Sequence, residues 1–133
     1  MPPAKLVLYA DDDEDDRLCF QEAWNSYADY ELKIFESAIG LLEFMQQNPS
    51  LDLCVVVLDQ NMPQLSGIEA LERVRTMNPY EETPVVLYST NIYGGQLSRA
   101  ASVYGAHLVQ KSNTLAEIRT DVERIIGLCD PPL

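Results

Sequence analysis

Short continuous apolar runs alternate along this chain with longer segments in which apolar residues recur at helical spacing. The runs are typical of strands buried on both faces; they span residues 6–10, 53–58 and 85–88, with 32–35 and 107–109 as weaker candidates. Parallel neighbouring strands need crossover connections. Five strand–helix units in succession therefore predict an α/β fold, with a parallel sheet covered by helices on both faces.

The segments between the strands carry apolar residues three or four positions apart, as one face of a helix requires. This spacing predicts helices over residues 20–27, 38–45, 70–77, 92–104 and 115–126. A length of 133 residues and 47% hydrophobic content fit one domain across residues 1–133, with a core at about 5–128. Almost no residues then remain for an output domain, so we expect the domain to signal through contact with another protein.

The net charge limits the partners that the chain can bind, and the cysteines indicate its redox compartment. With 21 acidic and 9 basic residues the net charge is −12, which argues against direct binding of nucleic acid. No apolar segment approaches transmembrane length and the first residues lack a signal-peptide core, so we expect no membrane insertion and a cytoplasmic location. Cys19, Cys54 and Cys129 lie in apolar stretches without CxxC spacing, and we expect free thiols in a reducing compartment.

Acidic residues follow two of the predicted strands. A run of six acids, residues 11–16, comes after the first strand, and Asp59 ends the third. Ligands of such sheets bind beyond the carboxyl ends of the strands, so we expect these carboxylates to converge. At about 5 Å and an effective dielectric of about 20, each pair of charges costs roughly 3 kcal/mol. A hard divalent cation such as Mg²⁺ is the natural partner.

The fourth strand ends in Ser89 and the fifth is followed by Lys111, which add a hydroxyl and a positive charge at the same edge. A carboxylate nucleophile, a metal, a hydroxyl and an ammonium together indicate phosphoryl transfer. Asp59 would attack phosphorus, Lys111 would neutralise the equatorial oxygens, and Ser89 would donate a hydrogen bond to one of them.

These residues resemble the response-regulator receiver domains of two-component signal transduction. The resemblance runs from about residue 5 to 128. It is carried by the acidic pair Asp11 and Asp12, the Asp-x-x-Met-Pro-x-x-x-Gly pattern that begins at Asp59, Ser89 thirty residues later, and Lys111. The family fold is flavodoxin-like, which implies a five-stranded parallel sheet in the order 2-1-3-4-5.

The resemblance implies a role for each matching residue. Asp59 would be the phosphoacceptor, Ser89 the switch hydroxyl and Lys111 the lysine of the family's site. Mg²⁺, with Mn²⁺ as an alternative, would be bound by Asp11, Asp12, Asp59 and the backbone carbonyl of Asn61. The phosphoryl group would come from a sensor histidine kinase or a histidine phosphotransfer protein in a phosphorelay. The protein would catalyse its own phosphorylation and dephosphorylation without being an ordinary enzyme.

The chain departs from the family pattern at three positions. Ser112 follows Lys111 where the family usually has proline, Leu108 holds a position that is often aromatic, and Thr90 replaces the usual alanine. Residues 13–16 are interpreted as a helix start, because carboxylates cap free N–H groups and favour the positive end of the helix dipole.

Three other functions share part of this pattern. The main alternative is a pseudo-receiver, which keeps the fold as an interaction module without a phosphorylation cycle, and the Lys111 region is its best support. An aspartate-nucleophile phosphatase wants a second acid two residues after the nucleophile, where this chain has Asn61. A flavodoxin needs a hydroxyl-rich phosphate loop after the first strand, and the acidic run would repel that phosphate.

Overall fold

The computed structural model describes residues 5–24 and 30–129, which form five strands and five helices in strict alternation. One parallel sheet has the order β2-β1-β3-β4-β5, so the predicted fold class is confirmed. The elements are β1 (Lys5–Ala10), α1 (Glu14–Trp24), β2 (Tyr30–Phe35), α2 (Ala38–Gln47), β3 (Leu53–Asp59), α3 (Gly67–Val74), β4 (Val85–Ser89), α4 (Gly95–Tyr104), β5 (His107–Gln110) and α5 (Leu115–Gly127).

The register of the strands brings their carboxyl ends to one edge of the sheet. Ala10 of β1 pairs with Leu58 of β3, and Asp59 pairs with Tyr88 of β4. Ser89, the last residue of β4, pairs with Gln110 at the end of β5. The residues that end or follow these strands therefore share one edge.

Two apolar cores lie on opposite faces of the sheet, because side chains along each strand alternate between the faces. One core contains residues of α2, α3 and α4, and Leu41, Leu71 and Leu87 are fully buried in it. The other contains residues of α1 and α5 around Tyr9 and Phe20. Burial on both faces explains why β1, β3 and β4 are continuous apolar runs in the sequence.

The fourth helix is shorter than predicted. The apolar spacing placed its start at residue 92, but α4 begins at Gly95, with Gly94 in an extended conformation as its N-cap. The side chain of Asn91 accepts a hydrogen bond from the backbone N–H of Tyr93 at 3.0 Å, which holds residues 91–93 in a turn instead. Tyr27, predicted in the first helix, lies outside the described residues.

The cysteine prediction was wrong for one pair. Cys54 near the start of β3 and Cys129 beyond α5 form a disulfide, with their Cα atoms 5.0 Å apart, and Cys19 is the free cysteine among the described residues. The pair is 75 residues apart in sequence, so the contact depends on α5 returning along the sheet. Among the helices that the structure describes, none has the length and apolar character to cross a membrane.

The loop between β3 and α3 returns closely over the end of β3. Gly67 donates its backbone N–H to the Gln60 carbonyl at 3.2 Å, and Gln60 Oε1 accepts the N–H of Ile68 at 2.9 Å. A capping box between Ser66 and Glu69 fixes the helix start. A Cβ atom at Gly67 would lie 2.7 Å from the Asp59 carbonyl oxygen, so only glycine fits here without a backbone shift.

We predict that Gly67→Ala destabilises the fold by about 1–3 kcal/mol, because the added methyl group must displace backbone atoms at the end of β3. Urea unfolding measures the change. Gly95→Ala is the matched control: a Cβ atom there meets open space, and alanine in a helix is favoured by roughly 0.5–1 kcal/mol. Equal stability of the two variants would contradict the close packing at Gly67.

Candidate functional site

The ammonium of Lys111 lies among carboxylates at the carboxyl edge of the sheet. Its Nζ atom is 2.7 Å from Asp11 Oδ2, 2.8 Å from Asp16 Oδ2 and 3.1 Å from Asp59 Oδ1. The Lys111 side chain is only 8% exposed, so its ion pairs with the buried Asp11 and Asp59 are shielded from bulk water, while Asp16 is partly exposed. The structure thus brings together residues from the ends of β1, β3 and β5 and from the first turn of α1.

Asp11 is fully buried and hydrogen-bonded through both carboxylate oxygens. Oδ2 accepts from the Tyr9 hydroxyl at 2.5 Å as well as from Lys111, and Oδ1 accepts from the backbone N–H of Asp13 at 3.0 Å. Arg17 donates to the Asp11 carbonyl at 2.8 Å. These hydrogen bonds compensate for the loss of water around the buried carboxylate, and they also fix its orientation.

Asp11, Asp12 and Asp59 form a cluster suited to a divalent cation. Each offers a carboxylate oxygen, and these oxygens all lie within 4.8 Å of one another. Asp11 and Asp59 are buried while Asp12 is exposed, so the cluster is open to solvent on one side. Hard oxygen donors in an incomplete cage are what Mg²⁺ prefers, because it keeps several waters.

The site perturbs the titration of its members. Burial raises the pKa of the Asp59 carboxyl above its ordinary value, and the charge of Asp11 adds to this; Lys111 offsets part of it. Burial alone would favour a neutral Lys111. Hydrogen bonds to Asp11 and Asp16, together with the charges of Asp11 and Asp59, outweigh burial and raise the pKa of Lys111, so the ammonium is retained.

Ser89 lies at the same edge, buried at the end of β4. Its carbonyl accepts the backbone N–H of Lys111 at 2.8 Å, which joins the ends of β4 and β5, and its Oγ lies 3.4 Å from the backbone nitrogen of Asn91. Asn61 is exposed in the loop after β3, next to Gln60, and Thr90 is exposed beyond Ser89. The Lys111–Ser112 peptide bond is trans, since the cis bond among the described residues is Asn78–Pro79.

Sequence reasoning missed two site residues. The sequence indicates only a helix start at Asp16, whereas in the structure its carboxylate also forms an ion pair with Lys111. A signal was present, because Asp16 precedes Phe20 by four residues and so lies on the inward face of α1. Tyr9 was assigned only to a strand, and its hydroxyl contact with Asp11 had no sequence signal, because a buried tyrosine in a strand is ordinary.

Comparison with known families identifies the chain. The family described as response regulator receiver domain matches residues 7–123. This chain belongs to the response regulator receiver domain family. It is therefore the receiver domain of a two-component response regulator, and receiver domains are signalling proteins rather than ordinary enzymes.

Two response regulators illustrate the sequence similarity of this receiver domain to its relatives. It is 28% identical over 94 residues to response regulator Rcp1 of Synechocystis sp., covering 68% of this chain and 64% of Rcp1. It is 22% identical over 97 residues to chemotaxis protein CheY1 of Helicobacter pylori, covering 73% of this chain and 78% of CheY1. The matched region therefore spans less than two thirds of Rcp1.

Solved receiver structures share the fold. The Mn²⁺-bound form of Rcp1 superposes with a TM-score of 0.81 at 23% identity, covering 97% of each chain. The phosphorylated cyanobacterial phytochrome response regulator RcpA superposes with a TM-score of 0.83 at 20% identity, covering 95% of this chain and 94% of RcpA. At these identities the likeness establishes the receiver fold and its topology.

We predict that Asp59→Asn stabilises the receiver domain near pH 7, raising Tm by about 2–5 °C. The folded state raises the pKa of Asp59, so its ionised carboxylate is less favourable folded than unfolded, and removing the charge relieves this penalty. The gain should shrink as the pH falls and vanish below the ordinary aspartate pKa of about 3.9, where both states are protonated.

Thermal unfolding monitored by circular dichroism between pH 7 and pH 3 measures this effect. Asp52→Asn is the control, because Asp52 is an exposed aspartate outside the cluster and should change Tm little at any pH. A Tm gain in Asp59→Asn that is independent of pH, or a loss of stability at pH 7, would contradict the charge argument.

Proposed function

We propose that this receiver domain accepts a phosphoryl group on Asp59 in a Mg²⁺-dependent reaction and signals by protein–protein contact. The observation that carries the proposal is the Lys111 ammonium held 3.1 Å from a buried Asp59 carboxylate, beside two further carboxylates able to bind a cation. Nucleophile and charge-neutralising groups are thereby assembled before any phosphoryl donor arrives.

Each residue of the site has a distinct role in the proposed reaction. A carboxylate oxygen of Asp59 forms the new bond to phosphorus, while the bond between phosphorus and the donor imidazole breaks and its electron pair stays on the nitrogen. The Lys111 ammonium balances negative charge on the equatorial oxygens, and the Ser89 hydroxyl donates a hydrogen bond to one of them. Asp11, held by Tyr9 and Asp13, keeps Lys111 at the cluster.

Residues suited to a metal ion are present in the cluster. Asp11, Asp12 and Asp59 offer carboxylate oxygens within 4.8 Å of one another, and the Asn61 carbonyl would complete the set. The ion, when bound, supplies positive charge that neutralises the phosphoryl oxygens. Mg²⁺ fits these hard oxygen donors, and Mn²⁺ is an alternative. The Mn²⁺-bound form of Rcp1 supports this assignment.

The donor is proposed to be a phosphohistidine of a sensor histidine kinase or a histidine phosphotransfer protein, as expected for a phosphorelay. A downstream protein would read the result. Ser89, drawn toward the phosphoryl group, would release its contact with Asn91 and shift the loop that leads to Tyr93, which is 82% exposed. The structure of phosphorylated RcpA, which has the same fold, supports phosphorylation as the input signal.

The alternative functions lack a supporting observation. The pseudo-receiver hypothesis rests on the Lys111 region, where Ser112 replaces proline. Lys111 nevertheless lies in ion-pair contact with Asp59, as a phosphorylation site requires. The phosphatase reading needs an acid at the position of Asn61, and the family match is to receiver domains.

We predict that incubation with acetyl phosphate and Mg²⁺ adds one phosphoryl group, because the small donor presents the same phosphorus to Asp59 that a kinase would. Intact-protein mass spectrometry measures the gain. Asp59→Asn should show none, since an amide is not a nucleophile here. Asp52→Asn should be phosphorylated like the unaltered protein, and a mass gain that persists in Asp59→Asn would contradict the assigned acceptor.

We also predict that Mg²⁺ stabilises the fold through the acidic cluster. Ligand binding to the folded state at ten times Kd contributes roughly 1.4 kcal/mol, which thermal unfolding detects as an increase in Tm. Asp12→Asn removes a cluster ligand and should abolish most of the increase. Asp15→Asn, an exposed acid of the same helix start, should keep it. Equal increases in the two variants would mean that Mg²⁺ binds elsewhere.

A further inference from the structure

A buried aspartate on α5 forms hydrogen bonds that the proposed reaction does not use. Asp121 is 5% exposed, and its carboxylate accepts from the Tyr88 hydroxyl at 2.8 Å. It also accepts from the backbone N–H of Ser112 at 3.2 Å and from the Ser112 hydroxyl at 3.0 Å. One side chain thus joins α5, β4 and the loop after β5.

Packing does not explain an acid at this position. The neighbouring buried residues on the same face of α5 are Ile118, Val122 and Ile125, and an apolar residue would continue that face. Burying a carboxylate is costly unless it is hydrogen-bonded, and here three donors meet that requirement. The arrangement therefore serves to hold those donors in place.

The donors are the chain neighbours of two site residues. Ser112 directly follows Lys111, and Tyr88 directly precedes Ser89. The Lys111 backbone N–H donates to the Ser89 carbonyl at 2.8 Å, and the Lys111 ammonium lies 5.8 Å from the centre of the Tyr88 ring. Because Tyr88 and Ser112 both bind the Asp121 carboxylate, the backbone next to Lys111 is restricted, and with it the direction of the Lys111 side chain.

We propose that Asp121 is a positioning residue that holds the loop after β5 so that the Lys111 ammonium reaches Asp59. The proposal rests on the proposed phosphoacceptor function. Ser112 is essential to it, since a proline would offer neither an N–H nor a hydroxyl to Asp121. In this chain the Ser112 contacts with Asp121 supply the loop rigidity.

Lysine acylation tests the proposal without any phosphorylation. Brief treatment with acetic anhydride, followed by digestion and mass spectrometry, gives the labelling rate of Lys111 relative to exposed Lys33 in the same sample. Asp121→Asn places an amide nitrogen against a donor, which should release the loop and raise the ratio about tenfold. Glu123→Gln, an exposed acid of α5, should leave it unchanged. An unchanged ratio in a folded Asp121→Asn variant would overturn the proposal.

Ser112→Ala provides the same test should Asp121→Asn fail to fold. It removes only the hydroxyl and should raise the Lys111 labelling ratio about threefold, whereas Ser112→Thr, which keeps both donors, should restore the original ratio. Equal ratios in Ser112→Ala and Ser112→Thr would overturn the proposal.

A second measurement separates positioning from general stability. When Lys111 is intact, Asp121→Asn should slow phosphoryl uptake from acetyl phosphate about tenfold. In a variant that already carries Lys111→Ala, Asp121→Asn should cause no further loss. Equal losses in both backgrounds would mean that Asp121 acts without Lys111. Absence of uptake by the unaltered protein would refute the proposed function, and the acylation ratio would still decide the role of Asp121.

Discussion

The site depends on one ammonium shared by two buried carboxylates and a third that is partly exposed. At the contact distances of Lys111 to the buried Asp11 and Asp59, each attraction is worth on the order of 4 kcal/mol or more at an effective dielectric of about 20, comparable to the repulsion between the acids. The pair with the partly exposed Asp16 contributes less, because solvent screens it. Burial and the charge of Asp11 raise the pKa of the Asp59 carboxyl, and the Lys111 ammonium offsets part of that rise while placing a positive charge beside the carboxylate.

That cluster is a consequence of the parallel sheet. β1 and β3 are neighbours in the sheet, so Asp11 and Asp59 meet where their strands end. Lys111 follows β5, and its side chain reaches them past the end of β4. The two cores hold the strands in this register, and the close return of the loop at Gly67 fixes the end of β3. Stability and site geometry therefore rest on the same contacts.

Much of this could be predicted from the sequence. Buried strands of a parallel sheet are continuous apolar runs, and the acids, hydroxyl and lysine that follow them lie at one edge by topology. Contacts made across helices could not be predicted in this way. Asp16 and Asp121 lie on inward helix faces where an acid signals a buried partner, but the partner itself depends on how α1 and α5 pack. The disulfide between Cys54 and Cys129 and the late start of α4 likewise depend on tertiary contacts and turn geometry.

We propose above all that the acidic cluster, with Lys111 beside it, binds a cation and a phosphoryl group. Crystals of the protein grown with MnCl₂ and measured at a wavelength where manganese scatters anomalously test this most directly. We expect an anomalous peak within bonding distance of carboxylate oxygens of Asp12 and Asp59, with the Lys111 ammonium still in contact with Asp59. A map without a peak at the cluster, or with Lys111 turned away from Asp59, would contradict it.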